Sequence, residues 1–416
     1  MIYVRRSAAV VLFLILLLVL SAFGLLSFRD GEFDIGAVAM GVAACVVFIA
    51  LYNILKNIFK HIDRYVLILC ILLFSVGLII QYRLNPQTAW KQFVWFIAGI
   101  FALTAALLII KNADDFGKWN IVFLGGTAGL LLLSLLFARV IGGAKNWIDL
   151  GVFTMQPSEF AKLLFIITAA YYFSRKKNIL GLLPYIGFCG ACIFILVLSK
   201  DLGAGILYAM TLLVMFFAGT GKALWTLGGV GILGGGAYAS YKLFSHVRTR
   251  VEIWQDPWSA GRNEGYQIVQ GLMAIASGSL LGMGLNLGSP TAIPASHTDF
   301  IFAVICEEFG IIIGIAVIIF YLLFILRGAL IALNARTKFH QLLVFGCTAM
   351  LSLQCFVIIA GVIKMIPLTG ITLPFISYGG SSMVSCMALV GIIEGVAVKN
   401  GETDESEIKS IGGEVL

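Results

Sequence analysis

The sequence predicts an all-α, polytopic integral membrane protein, and three observations carry that prediction. Hydrophobic residues make up 60% of the 416 positions and charged ones only 12%. The apolar residues gather into runs near the roughly 20 residues that a helix needs to cross the hydrocarbon of a bilayer. Basic residues collect in the short segments between alternate runs, the pattern expected of cytoplasmic loops. This composition excludes a soluble globular domain, and no segment reads as a soluble catalytic domain.

Twelve transmembrane helices are expected: 8–28, 36–55, 65–80, 92–110, 121–138, 157–173, 179–198, 202–219, 223–240, 300–326, 341–363 and 377–398. The first, AAVVLFLILLLVLSAFGLLSF, follows Arg5 and Arg6 as a signal peptide would. Its length and the lack of a convincing A-x-A site favour a retained span. The second and third are separated by KNIFKHIDR (56–64), the sixth opens on Pro157 at a favourable first-turn position, and the seventh follows SRKKN (174–178). PLTGITLPFISYGGSS (367–382), rich in Pro and Gly yet apolar, leads into the twelfth and is expected to fold back against the bundle.

With a cytoplasmic N-terminus, 16 of the 28 basic residues fall inside and 11 outside, with Lys162 in a span. The short loops carry the bias more clearly, both termini then lie in the cytoplasm, and residues 241–299 form a large extracytoplasmic loop before the tenth span. Within that loop QIVQGLMAIASGSLLGMGL has helical apolar spacing interrupted by glycines, which suits an interfacial, partly buried or re-entrant helix. The polar, acidic residues 399–416 are expected to be a disordered cytoplasmic tail. The net charge of +7 is assigned to lipid headgroups and topology, and no nucleic-acid partner is expected.

Few groups can carry chemistry. Cys189 and Cys192 form a C-x2-C pair inside an apolar run with no second pair and no nearby histidine, so they read as buried small side chains. No G-x-x-x-x-G-K loop exists near SKDLGAG (199–205), which argues against nucleotide chemistry. Asp299, in HTDFIF, stands at the mouth of the tenth span. It is either a helix cap or an acid at a membrane cavity, able to accept a proton from a sugar hydroxyl or hold a cation. His297 can assist with a phosphate or simply rest at the interface. Glu307 and Glu308 lie about two turns deeper, where pairing with a basic residue and catalysis are both open.

In GGAKNWIDLGVFTMQPSEFAK (142–162), Glu159 and Lys162 are three apart and share a helix face. They either lock together in the membrane or leave Lys162, with Lys145 and Arg139, to meet a diphosphate. Tyr378, Ser381 and Ser382 offer hydroxyls to a substrate, with serine capping as the alternative.

At these segments the chain resembles the SEDS family, the shape, elongation, division and sporulation proteins. The resemblance rests on GGAKNWIDLG with QPSEFAK, DLGAG, GYQIVQGLMAIASGSLLGMGL, HTDFIFAVICEEFG and PLTGITLPFISYGGSS, in that order. It implies a peptidoglycan glycosyltransferase of the bacterial cytoplasmic membrane that polymerises lipid II into a growing lipid-linked glycan on the outer face. Asp299 matches the family's essential aspartate, and Lys145, Trp147, Glu159 and Lys162 match its cavity residues. The resemblance also implies a class B penicillin-binding transpeptidase as partner, and a divalent cation, Mg or Mn, is weighed at Asp299.

The expected organisation is 1–135 for N-terminal helices, two beyond the usual family number, 136–398 for the catalytic membrane core and 399–416 for the tail. Ser199-Lys200-Asp201 stands where the family often has Gln-Pro-Asp. A lipid flippase or transporter and a non-catalytic scaffold that activates a penicillin-binding protein are the competing expectations.

Overall fold

The computed structural model describes residues 2–29, 32–113, 116–141, 144–149, 151, 154–175, 178–258 and 264–413. The chain is helical almost throughout. Before the first small sheet comes α1 (Ile2–Leu26), and after it α2 (Ile35–Ile58), α3 (Arg64–Leu84), α4 (Pro86–Asn112) and α5 (Asn120–Phe137). A second group comprises α6 (Pro157–Arg175), α7 (Ile179–Leu198), α8 (Leu202–Thr220) and α9 (Ala223–Leu243). The outer loop forms α10 (Ser245–Gln255) and α11 (Glu264–Gly278), and α12 (Ile301–Leu333), α13 (Lys338–Val362) and α14 (Gly380–Gly413) complete the bundle. Short antiparallel strands serve as turns: β1 (Phe28–Arg29) with β2 (Glu32–Phe33), and β3 (Arg139–Ile141), β4 (Ala144–Asp149) and β5 (Thr154–Met155) between α5 and α6.

Among the described residues ten helices are long and apolar enough to cross a membrane. This is two short of the twelve expected. The other two, α6 and α9, form over the expected residues but are diluted, α6 by Glu159, Lys162 and Arg175 and α9 by six glycines. Capping fixes several boundaries: Asp34 accepts from Gly36 N and Ala37 N, Asp63 from Tyr65 N and Val66 N, and Asp201 from Ala204 N. α3, α13 and the membrane part of α14 are the most deeply buried of the spans. α4 and α14 approach most closely through Gly391 and Gly395, a G-x-x-x-G pair. A Cβ at Gly391 would collide with the carbonyl oxygen of Leu103.

The tenth expected span is two helices. Gly310, at φ 83° and ψ 168°, occupies a backbone region essentially reserved for glycine and splits α12 into a short buried segment, 301–309, and a long one from 311. The groups freed by the break find partners in the turn after α11. Met283 N donates to Glu307 O at 2.9 Å and Gly284 N to Glu308 O at 3.0 Å, while Ile311 N donates to Ser279 O at 3.0 Å. A broken helix is tolerated in a membrane protein only when its exposed peptide groups are satisfied in this way. α11 itself is 15 residues long and packs against α12, so QIVQGLMAIASGSLLGMGL is helical to Gly278 and then turns.

The tail is also corrected. Residues 399–413 continue α14 as a helix rather than a disordered segment. Its acidic residues meet basic ones at the same end of the bundle: Glu402 with Lys111 at 2.6 Å, Glu405 with His61 at 3.1 Å, and Asp404 and Glu407 both with Arg336. A tail too polar to fold alone is held by this collar of complementary charge.

Candidate active site

Asp299 sits two residues before the short segment 301–309, at the opposite end of the bundle from the acidic tail. It is half-buried, and desolvation pushes its carboxyl up to about 6, against the opposing pull of the Thr298 hydroxyl and the Arg250 guanidinium. Arg250, on α10, donates to Thr369 O at 3.3 Å. Gly370 brings the two side chains to one point, since a Cβ there would be 3.8 Å from Asp299 Oδ2 and 4.0 Å from Arg250 Nη2. One turn before Arg250, His246 has its Nε2 buried without a partner. Its imidazole is pushed below the usual value by desolvation, then by the charges of Lys200 and Arg250.

The loop 363–379 holds the approach to Asp299. Ser377 Oγ donates to Thr298 O at 2.6 Å, Tyr378 N donates to His297 O at 2.9 Å, and the rings of His297 and Tyr378 lie 6.0 Å apart. His297 is exposed and Tyr378 half-buried, so both present polar atoms beside Asp299. The residues flanking the aspartate are thus fixed by backbone bonds, while its carboxylate faces Arg250 and Gly370.

The other expected site residues form a second, buried cluster. Lys162 Nζ, 3% exposed, donates to Glu159 Oε2 at 2.5 Å and to Gln354 Oε1 at 3.3 Å. Ser385 Oγ donates to the same Glu159 oxygen at 2.6 Å. Gln354 Nε2 donates to Thr372 O at 3.0 Å, and the hydroxyls of Thr372 and Ser382 are 2.7 Å apart. Ser381 Oγ accepts from Gln156 N at 3.1 Å. Of the two readings open for Glu159 and Lys162, this geometry favours the structural lock: a network joining α6, α13, α14 and the 363–379 loop. Trp147 is half-buried on β4, and the side chain of Lys145 lies outside the described residues. The neighbouring Asn146 joins Gln156 and Ser158 in donating to buried Asp201, which burial pushes upward.

Glu307 and Glu308 are buried and structural. Glu307 accepts from Ser289 N at 3.0 Å; Glu308 accepts from Asn286 N at 2.5 Å and lies 3.3 Å from Arg83 Nε. Sequence reading missed Arg250, His246, Arg83 and Gln354. The one signal available was the basic run HVRTRV in an outer loop, where cations have no topological reason to gather. All eight cysteines are free and buried, Cys189 and Cys192 among them as expected.

A cation at Asp299 would find a sparse donor set, because among the described residues no group of three or more His, Cys, Asp or Glu is placed to hold a metal. One carboxylate suits a Mg²⁺ or Mn²⁺ that takes its remaining ligands from water and substrate phosphates. The residues therefore fit at most an open ion site, in which Asp299 would be the protein ligand, and do not fit a closed protein cage.

Comparison with known proteins agrees with this architecture. Residues 60–402 match the family model described as cell cycle protein, FtsW/RodA/SpoVE. The chain is 31% identical over 413 residues to the peptidoglycan glycosyltransferase RodA of Mycobacterium bovis, covering 90% of this chain and 88% of that one. It is 33% identical over 361 residues to the probable peptidoglycan glycosyltransferase FtsW of Geobacter metallireducens, covering 82% and 96%. Among solved structures, a chain of a peptidoglycan synthase complex that coordinates polymerisation and crosslinking matches with a TM-score of 0.70 at 24% identity, over 82% of this chain and 98% of that one. The Thermus thermophilus rod shape determining protein RodA matches with a TM-score of 0.59, also at 24% identity, over 81% and 96%. The chain is a multi-pass membrane protein that belongs to the FtsW/RodA/SpoVE family of cell cycle proteins, the SEDS family.

Proposed function

We propose that this protein is a peptidoglycan glycosyltransferase that polymerises lipid II at the outer face of the cytoplasmic membrane. The activity class is the one its relatives carry, at 31–33% identity over most of the chain. The observation that carries the site assignment is Asp299, half-buried beside Arg250 with a carboxyl pushed up to about 6.

In the reaction the 4-hydroxyl of an acceptor sugar attacks the anomeric carbon of a donor. The bond from that carbon to the diphosphate breaks, and the hydroxyl proton passes to Asp299. An ordinary aspartate, near pKa 4, is too weak a base at neutral pH, and burial moves this one toward the working range. Arg250, with Lys200 close behind, supplies positive charge where a departing diphosphate would collect it, while His246, held toward its neutral form by desolvation and by the same two cations, offers a hydrogen bond rather than a charge. Were Asp299 instead to hold a Mg²⁺ or Mn²⁺, the ion would supply neutralisation of that diphosphate in place of the base role. Glu159, Lys162, Ser381 and Ser382 hold the floor of the site through their network. His297, Trp147 and Tyr378 are the groups best exposed to touch a sugar or phosphate.

Orientation follows from charge. Lys111, Lys338 and Lys399 cap or pair helix ends at the acidic-tail end, which the positive-inside rule places in the cytoplasm, leaving Asp299 outside. A class B penicillin-binding transpeptidase is the proposed partner, supported at the level of fold by the likeness to a synthase complex.

The test is polymerisation of labelled lipid II by purified wild type and Asp299→Asn in liposomes, with a membrane-impermeant thiol reagent applied to the Asp299→Cys variant. Turnover lost in the variant and labelling from the outer side are expected. Retained turnover sinks the role given to Asp299, and labelling only from the inside sinks the topology.

A further inference from the structure

The helices α1 and α2 precede residue 60, where the family match begins. We propose that this extra hairpin is a brace for the active-site loops, acting through three consecutive residues at the outer end of α3, Gln81, Tyr82 and Arg83. Neighbours on a helix point about 100° apart, so three in a row reach three different elements. All three are buried, at 1%, 4% and 8% exposure.

Gln81 Nε2 donates to Ile376 O at 2.6 Å, in the loop that binds the backbone of His297 and Thr298. Gln92 on α4 grips the same loop, donating to Ser377 O and accepting from Gly379 N, both at 3.1 Å. Arg83 Nη2 donates to Gly288 O at 3.0 Å, and its Nε lies 3.3 Å from Glu308 Oε1, an ion pair inside the short segment that follows Asp299. One residue thus holds the loop that flanks the aspartate, and another holds the chain on either side of it. Tyr82 points the third way. Its hydroxyl donates to Asp34 Oδ2 at 2.9 Å and its ring meets Phe23 edge-on at 5.4 Å. The other oxygen of Asp34 caps α2 through Gly36 N at 2.8 Å, so one carboxylate ties the hairpin to itself and to α3.

Arg83 and Tyr82 are positioning residues, since neither is placed to touch substrate. Displacing a reacting group by about 1 Å can cost up to about a hundredfold in rate, so a strut can matter without touching the chemistry. The inference rests on Asp299 being the reactive group, and the experiment separates the two. Steady-state lipid II polymerisation is measured for wild type, Asp299→Asn, Arg83→Gln, Arg83→Lys and Tyr82→Phe, each checked for a monodisperse folded state. Arg83→Gln is expected to lower kcat at least about tenfold with KM within about twofold, the signature of lost transition-state alignment rather than lost binding. Arg83→Lys should recover part of the rate, because it keeps the charge without the fork that reaches both partners. Tyr82→Phe, which removes one hydroxyl and leaves the cap of α2 intact, should lower kcat about two- to fivefold by the same reasoning. Wild-type kcat in Tyr82→Phe, or in folded Arg83→Gln, overturns the brace while leaving Asp299 in place. An active Asp299→Asn overturns both. If Arg83→Gln does not fold, the kcat of Tyr82→Phe decides.

Discussion

Replacing Asp299 by asparagine should make the protein more stable as it makes it inactive, and the two effects share one cause. Desolvation lifts the Asp299 carboxyl from 3.8 to about 6. Every tenfold gain in proton affinity corresponds to about 1.36 kcal/mol, so keeping this side chain ionised costs the folded state up to about 3 kcal/mol above pH 6. The sign follows from proton binding. Between pH 3.8 and about 6 the folded chain holds the proton more tightly than the unfolded one, so stability is full below that window and declines through it as pH rises. Asparagine carries no charge to desolvate. Asp299→Asn and wild type should therefore unfold together near pH 4 and diverge to a plateau near pH 8, with the variant ahead. Because Asp299 keeps some contact with water, about 1–3 kcal/mol is the expected plateau. The assay is thermal unfolding in detergent at several pH values, beside lipid II polymerisation, where losing a general base costs about 10²- to 10⁴-fold. A variant no more stable than wild type at pH 8 would refute the desolvated-carboxylate argument, whatever its activity.

Three further outcomes follow from the same structure. Polymerisation by wild type should fall on acidification below about pH 6, roughly tenfold per pH unit once Asp299 is mostly protonated, and a rate flat to pH 5 contradicts a base role. Lys162→Met should destabilise by at most about 3–5 kcal/mol by stranding half-buried Glu159, and adding Glu159→Gln should recover most of that. Unfolding midpoints of the single and double variants decide, and a double variant as weak as the single removes the case for a lock. Gly310→Ala should destabilise by at least about 1–3 kcal/mol, since its φ suits only glycine and a Cβ would collide with Leu280 O. An unchanged melting temperature counts against the break in α12.

The sequence by itself determined the class of molecule, the positions of most helices and the special standing of Asp299. Those properties are written in local patterns: apolar runs of spanning length, an acid at the edge of one, and motifs in a fixed order. Tertiary structure decided what each polar group is for. The pair Glu159 and Lys162 looked equally able to bind a phosphate or each other until Gln354 and Ser385, from helices far along the chain, closed around them. Residues 399–413 read as disordered because their charge has no local partner, and Lys111, His61 and Arg336 come from three other parts of the sequence. The break at Gly310 was equally hidden: a single glycine in an apolar run carries no sign that Ser279 O will accept from, and Met283 N donate to, the backbone groups it frees. Periodicity and hydropathy report which neighbours along the chain share a face, whereas a buried polar group is defined by whichever distant segment meets its hydrogen-bonding needs.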